Sequence, residues 1–512
     1  MKTERAPRTI GGVDVRSVSW VAHYAVLTAI MIVGAYLRLT ALNRQSLWFD
    51  EIDVVVRAQR PLGQVMHTFV QQGENGPLYN IMLALWIRVA GISEIAVRFP
   101  SAVAGTLALP LIYLLGRRVA GPTVGLIAAG LLAISPYHVW YSQEAKMYSI
   151  VVLLALASTY AFVAALETNR RLWWIAYVVV TSLMFYTHVA TVLVFAAQSL
   201  YAVLSYRSWR GREKSWLISA AALTLPYVPI AIWAAKVIGL TGVSVATWQP
   251  PVAFWDAIQI FGIKFAINRY DMTDQVRAEI LYAVLAGIGI AALAWMRRRT
   301  QWWLLFMLLT VVPVVGLWVV SLRQSVFSDR YGIVALPAYL LLIAVAVTWM
   351  IRQRIAWPAG LLALFLLLTF AWGPLRDVNR AHTAQKEDWR SAYARVGALA
   401  QPGDVILVQP GYLITTYDYF EQRDPTLARF QALAVPSFAV PWFTEALMVK
   451  MLHDDAGSAT RFWLIQSPDR VGADDPNAIL ADWLAGNGSK LDEYVVNGVD
   501  VRLYQLKSPP PG

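Results

Sequence analysis

Apolar runs of about 20 residues recur along this chain, and nothing else in it constrains the fold as strongly. Eleven are counted, at approximately 19–41, 99–116, 122–137, 149–166, 172–187, 189–206, 215–236, 278–296, 302–321, 332–350 and 356–373. Most approach the roughly 20 residues that a helix needs to cross the hydrocarbon core of a bilayer. Hydrophobic residues make up 58% of the chain and charged residues 15%, against about half and a quarter in a soluble domain. The sequence predicts a polytopic α-helical membrane protein.

Basic residues set the orientation. Lys2, Arg5 and Arg8 precede the first run, and Arg117 and Arg118 follow the second. Arg170 and Arg171 follow the fourth; Arg207, Arg210, Arg212 and Lys214 follow the sixth. Arg297 to Arg299 follow the eighth, and Arg352 and Arg354 the tenth. With eleven spans all these clusters share one face, which the positive-inside rule makes cytoplasmic. They account for the net charge of +11, so nucleic acid is not expected as a partner. The run from Ser19 to Leu42 is too long for a signal peptide and lacks a small-residue cleavage site, so it reads as a retained span. Cysteine is absent, which excludes disulfides, thiolate metal ligands and a cysteine nucleophile. The apolar stretch from Leu78 to Gly91 is too short to span. Counting it would spoil the alternation, so it is expected as a juxtamembrane helix in the outer interface, with Trp86 and Arg88 near the headgroups.

Five outer loops then collect the residues with chemical potential. The first opens with SLWFDE, Ser46 to Glu51, in which Trp48 and Phe49 precede Asp50 and Glu51, with Asp53 close behind. A carboxylate at a membrane surface is costly unless it is solvated, paired or used. A solvated loop or an interfacial helix cap would also explain this pair. A second acid, Glu144, stands in the next outer loop beside Lys146, between Tyr141 and Tyr148. Separate carboxylates on one membrane face suit general-base or metal work, although structural ion pairs populate such loops too.

Lys146, Lys264, Arg269 and Arg330 are cations on the side where few are expected. Lysine and arginine bind phosphate through charge-assisted hydrogen bonds; the competing reading is snorkelling to lipid headgroups. Asp329, Arg330 and Tyr331 sit at a helix entrance, which favours phosphate contact for Arg330. His67, His138 and His188 lack metal-binding spacing, so interfacial or substrate contact is the expected role. No metal site and no definite cofactor is assigned, with a divalent metal left open. Trp248 and Trp255 have the rings to stack on sugars, although an interfacial aromatic belt is the better account of each.

After Arg376 charges return, and the pattern becomes that of a soluble domain. A helix is expected at 387–400, strands at 404–409, 461–466 and 494–506, and a helix at 477–485. Alternation of this kind predicts a small α/β domain. The chain divides into a membrane domain, 1–375, and an extracytoplasmic α/β domain, 376–512. No nucleotide-binding glycine motif is present.

Several of these stretches together resemble the C-type (GT-C) membrane glycosyltransferases that use polyprenyl-phosphate sugars, in particular bacterial relatives of protein O-mannosyltransferases and aminoarabinose transferases. WFDE is similar to that family's Asp-Glu loop, and Ser93 to Gly121 to its second-helix signature. SPYHVWYSQEAKMYS resembles the loop carrying the second acid, SDRYGIVALPAY the Arg-Tyr element, and KEDWRSAY the opening of the soluble tail in one bacterial branch. GENGPLYN departs from the pattern, with Asn75-Gly76 in place of His-Pro before Pro77.

The resemblance implies the GT-C fold, about 11 transmembrane helices with outer juxtamembrane helices, and an inverting transfer from a polyprenyl-phosphate sugar. It makes Asp50 the catalytic base, Glu144 the second essential acid and Glu51 a supporting contact. Arg330, with Lys146, would hold the leaving phosphate. Tyr331, His67, Lys264 and Arg269 complete the candidate substrate-binding set. The expected acceptor is a hydroxyl on a lipid, glycan or protein, at the outer face of a bacterial cytoplasmic membrane. The alternative is a flippase or transporter of lipid-linked sugars, against which stands the lack of a clear internal repeat.

Overall fold

The computed structural model describes residues 9–10, 13–67, 76–228, 252–268, 275–296, 301–322, 327–378, 386–440 and 442–512. Two units are distinguished by their internal contacts: Met1–Ala41, Met66–Tyr79 and Arg98–Asn379 form one, and Leu42–Val65, Asn80–Val97 and Arg380–Gly512 the other. In chain order the helices up to residue 204 are α1 (Val15–Leu39), α2 (Phe49–Ala58), α3 (Leu62–His67), α4 (Pro77–Ala90), α5 (Glu94–Ala120), α6 (Pro122–Ala133), α7 (Pro136–Ser142), α8 (Tyr148–Thr168), α9 (Arg171–Phe185) and α10 (Val192–Leu204). There follow α11 (Glu213–Thr224), α12 (Phe254–Ala266), α13 (Gln275–Met296), α14 (Trp302–Ser321), α15 (Leu336–Arg352) and α16 (Trp357–Val378).

Among the described residues seven helices are long and apolar enough to cross a membrane: α1, α5, α8, α13, α14, α16 and the segment Asp329–Arg352 that ends in α15. The remaining expected spans differ in instructive ways. The run at 122–137 is a broken element, α6 and α7 bent by 61°. Pro136 is the cause, since proline lacks an amide donor and disfavours helix at the residue before it. The runs at 172–187 and 189–206 form shorter apolar helices, Arg171–Phe185 and Val189–Leu204. The run at 215–236 extends past Val228, outside the described residues.

The first unit is built around α15, whose residues Leu336 to Thr348 are all buried. A helix apolar on every side belongs in the middle of a bundle, and α15 packs against α6, α13, α14 and α16. Hydrogen bonds tie α8, α9 and α10 together. Ser158 Oγ lies 2.8 Å from Thr181 Oγ1, Tyr177 Oη donates to Gln198 Oε1 at 2.9 Å, and Gln198 Nε2 donates to Ser158 Oγ at 3.2 Å. Polar side chains linked across helices serve as glue where lipid offers no hydrophobic driving force. At the α6–α7 break the fully buried guanidinium of Arg38 takes up what the bend releases. Its Nη1 donates to the carbonyls of Gly34 and Ala133, at 2.9 and 3.0 Å, and its Nη2 to Leu132 at 2.9 Å.

The second unit contains a five-stranded sheet with strands β1 (Val405–Gln409), β2 (Gln431–Ala434), β3 (Arg461–Gln466), β4 (Gly488–Val496) and β5 (Val499–Leu506). Their spatial order is β2-β1-β3-β5-β4. The pairs β1–β2 and β1–β3 are parallel, with Leu407 opposite Leu433 and Leu464; β3–β5 and β4–β5 are antiparallel. Both β1 and β3 are buried on both faces, as parallel strands covered by helices must be. One face packs Leu407, Phe462 and Leu464 against Met448, Leu452, Leu480 and Leu484. Residues 494–506, expected as one strand, form the end of β4 and all of β5, because Asn497-Gly498 turns the chain as such dipeptides do.

Candidate active site

In the first unit the segment Ser328 to Ala335 organises a cluster of charged and aromatic side chains. Asp329 to Ala335 form a 3₁₀ turn leading into α15. The Asp329 carboxylate accepts the Arg330 backbone N–H at 2.8 Å through Oδ1, and its Oδ2 is 3.0 Å from Lys264 Nζ. Lys264 reaches it from the last turn of α12. Tyr137 Oη donates to the Asp329 carbonyl at 2.7 Å, and Arg330 Nε to Ser328 Oγ at 3.1 Å. A chain of rings follows. Tyr137 meets Tyr141 edge-on at 5.1 Å between centroids, and Tyr141 meets Tyr148 at 4.9 Å. His188 lies 6.0 Å from Tyr148 and 4.8 Å from Tyr331.

His188 sits in the turn between α9 and α10 and is 3% exposed. Its Nδ1 accepts the Ala190 backbone N–H at 3.1 Å, so the neutral ring carries its proton on Nε2. Burial, and then the charges of Arg330 and Lys146, push the imidazole down to about 3. Glu144 is 1% exposed and lies within electrostatic reach of Tyr141, as does Asp329. The loop that carries Glu144 and Lys146 is fastened to α5. Ser101 Oγ donates to the Lys146 carbonyl at 2.8 Å, and Ser149 Oγ to the Ser101 carbonyl at 2.8 Å. Lys146, Arg330, Tyr331 and Lys264 thus share one neighbourhood, to which His188 is added.

The departure at Asn75-Gly76 has a steric counterpart in this unit. A Cβ at Gly76 would overlap the Tyr186 backbone, whose carbonyl accepts the Leu78 N–H at 3.0 Å. Only glycine permits that approach.

Asp50 and Glu51 belong to the second unit, where they occupy the first turn of α2. Negative charge is favoured at a helix N-terminus by the exposed amides and the macrodipole. The position before the helix is Trp48, which supplies no side-chain cap. The cap comes from far along the chain: Glu387 Oε2 accepts the Phe49 N–H at 3.0 Å. The same oxygen accepts Trp389 Nε1–H at 2.8 Å, and Oε1 accepts Arg470 Nε–H at 2.8 Å. Glu51 is fully buried against Lys386, with Nζ 3.2 Å from Oε2 and side-chain exposures of 5% and 0% for the lysine and the acid. Asp53 is bound by Arg57 one turn on, at 2.9 Å. Asp50 is half-buried between these fastened neighbours. The Arg470 guanidinium also lies over the Phe49 ring, 4.9 Å from its centroid, and Tyr412 meets that ring edge-on at 5.3 Å. Glu94, at the start of α5, pairs with Arg390 at 2.8 Å.

His67 is the last residue of α3, and Arg269 lies outside the described residues. Among the described residues no three His, Asp or Glu side chains converge as metal ligands would. Sequence reading missed Lys386 and Glu387 as parts of the Asp50 surroundings; their only signal was the KEDWR likeness. It also missed Arg38, whose one sign was an arginine near the end of an apolar run.

Residues 74–233, the stretch holding Glu144, Lys146 and His188, match the family of dolichyl-phosphate-mannose-protein mannosyltransferases. No curated protein matches the chain in sequence. Solved structures do. ArnT from Cupriavidus metallidurans in the apo state superposes with a TM-score of 0.58 at 13% identity, covering 96% of this chain and 98% of that one. The same protein bound to undecaprenyl phosphate gives 0.54 at 13% identity, covering 95% and 98%. The oligosaccharyltransferase AglB from Archaeoglobus fulgidus, in complex with an inhibitory peptide and a dolichol-phosphate, gives 0.54 at 11% identity, covering 94% of this chain and 74% of that one. Identities this low establish the fold. This chain is a multi-pass membrane protein with the fold of the C-type (GT-C) glycosyltransferases, and its residues 74–233 match the dolichyl-phosphate-mannose-protein mannosyltransferase family.

Proposed function

We propose that this protein is an inverting glycosyltransferase that moves a sugar from a polyprenyl-phosphate donor to a hydroxyl acceptor on a lipid, glycan or protein, at the outer face of a bacterial cytoplasmic membrane. The observation that carries the reading is the α2 turn: a half-buried Asp50 between two anchored neighbours, on a fold whose solved examples include one bound to undecaprenyl phosphate. Asp50 takes the proton of the acceptor hydroxyl as its oxygen attacks the anomeric carbon. The bond from that carbon to the phosphate oxygen breaks, and polyprenyl phosphate leaves with the bonding pair. Arg330 and Lys146 stabilise the charge that builds on the leaving phosphate, and His188 beside them stays neutral and adds no competing proton equilibrium near pH 7. Glu144 orients donor or acceptor. The mannosyltransferase match over 74–233 makes a mannose-like sugar the first donor to try.

The test is transfer by purified protein in detergent, from a panel of radiolabelled polyprenyl-phosphate sugars to extracted membrane lipids and proteins. Wild type and Asp50→Asn are run together, with and without chelator. Transfer by wild type that disappears in Asp50→Asn, with donor binding kept, is the expected result. Undiminished turnover in Asp50→Asn would remove the base, and donor binding with no transfer by wild type would favour a flippase of lipid-linked sugars.

A further inference from the structure

Lys386 and Glu387 are consecutive, and they grip the two residues on either side of Asp50. Glu387 holds the backbone of Phe49, and Lys386 holds the side chain of Glu51. We propose that this pair positions the base, so that the soluble tail contributes to the chemical step as well as to the fold. The inference rests on Asp50 being the base.

Three observations carry it. First, α2 has no cap of its own at Trp48. Ser, Thr, Asp or Asn would be the usual choice there, and the Glu387 carboxylate does that work instead. Second, the gripping residues are themselves held. Asn497 Nδ2 donates to the Lys386 carbonyl at 2.6 Å, and the Asp388 N–H to the Asn497 carbonyl at 2.8 Å. Asp388 caps the helix Trp389–Leu399 through the Ser391 N–H at 3.1 Å. Glu387 has both oxygens occupied, by Phe49 and Trp389 on one and Arg470 on the other. Third, the Lys386–Glu51 pair is buried, where an ion pair does little for net stability compared with apolar residues of the same volume. Keeping it there makes sense if it specifies geometry. With the Phe49 amide and the Glu51 side chain both held, the turn of α2 that presents Asp50 between them is fixed in place.

A device that only holds the fold together would behave differently from one that aims a base. The test uses full-length protein in detergent, with kcat expressed per site that binds polyprenyl phosphate, so that unfolded molecules drop out of the figure. The double variant Glu51→Gln/Lys386→Met removes the pair as a unit and leaves no buried charge alone. Expected is a loss of about 100-fold in kcat, the scale on which a displacement of roughly 1 Å acts, with the KM for the donor unchanged. Lys386→Arg, which keeps the cation, is expected to recover most of that loss. Wild-type kcat per binding site in the double variant would overturn the proposal, as would a defect confined to the donor KM. An active Asp50→Asn would instead remove the reading beneath it. An inactive Asp50→Asn beside a fully active double variant would leave that reading standing and remove only this inference.

Discussion

Arg38 on α1 donates through Nη2 to His138 Nδ1 on α7 across 2.8 Å, at the point where α6 and α7 part company. The same guanidinium serves the carbonyls of Leu132 and Ala133, which the bend at Pro136 leaves without their helical donors. A charge buried in a membrane bundle is costly, and here it is matched by hydrogen bonds to three carbonyls and an imidazole. The bend redirects the chain into the loop of Glu144 and Lys146.

Arg38→Met should therefore destabilise the protein severely. Each buried group left unsatisfied costs about 1–3 kcal/mol, so a total loss of roughly 3 kcal/mol or more is expected. Thermal unfolding in detergent measures it. A melting temperature indistinguishable from wild type would show that the bend does not need the guanidinium.

The His188 proton equilibrium predicts an acid limb of stability. The unfolded ring takes its proton near 6.5 and the folded ring near 3, so the unfolded state binds more protons between those values. The contribution of His188 is fully present above about 6.5 and is lost as pH falls towards 3. Replacing it with glutamine should flatten the dependence of melting temperature on pH between about 6.5 and 4. Arg330, Lys146, Tyr148 and Tyr331 are the groups around the ring, and parallel profiles for the two proteins would contradict this assignment.

Arg330 and Lys264 should separate in a donor titration. Lys264 lies 3.0 Å from the Asp329 carboxylate, and Arg330 Nε donates to a neutral hydroxyl, Ser328 Oγ. Charge-assisted hydrogen bonds are worth about 1.5–3 kcal/mol, so Arg330→Gln should weaken polyprenyl-phosphate binding by roughly 10–100-fold. Lys264→Met should weaken it by about 3-fold or less on the same scale. Equal losses, measured by displacement of a labelled polyprenyl phosphate, would assign both cations to the phosphate.

Gly332 tests how closely α12 must approach the Arg330 turn. A Cβ there would overlap the Phe261 ring, which packs with Phe265 and Phe327. Overpacking of this kind costs about 1–3 kcal/mol. Gly332→Ala should lower the melting temperature and also weaken donor binding, because the added methyl displaces the turn that carries Arg330. Unchanged values for both would show that α12 yields without consequence.

What could be read from the sequence follows the range of the physical signal. Apolar length announces α5, α8, α13 and α14, and the β-rich runs at 404–409 and 461–466 appear in register at the centre of the sheet. These are local signals, complete within a few turns or one strand. Asp50 stands out in the sequence as a candidate as well, because an Asp-Glu pair beside a membrane span needs an explanation. Its fastening does not, since Glu387 caps a helix that begins at Phe49, 338 residues earlier. Arg38 likewise serves carbonyls more than 90 positions away, and no periodicity records such a bond. The strand expected at 494–506 shows a local signal underweighted: alternation continues on both sides of Asn497-Gly498, but the turn reverses the direction.

Glu387 capping α2 also has a consequence in time. Chains are synthesised at about 5–20 residues per second, so roughly 20–70 s separate the emergence of Phe49 from that of the residue that caps it. During that interval α2 begins with an open amide, and Glu51 lacks Lys386. The protein's own biosynthesis thus withholds the finished Asp50 turn until the tail has been made, and a chain truncated before residue 387 is born without it.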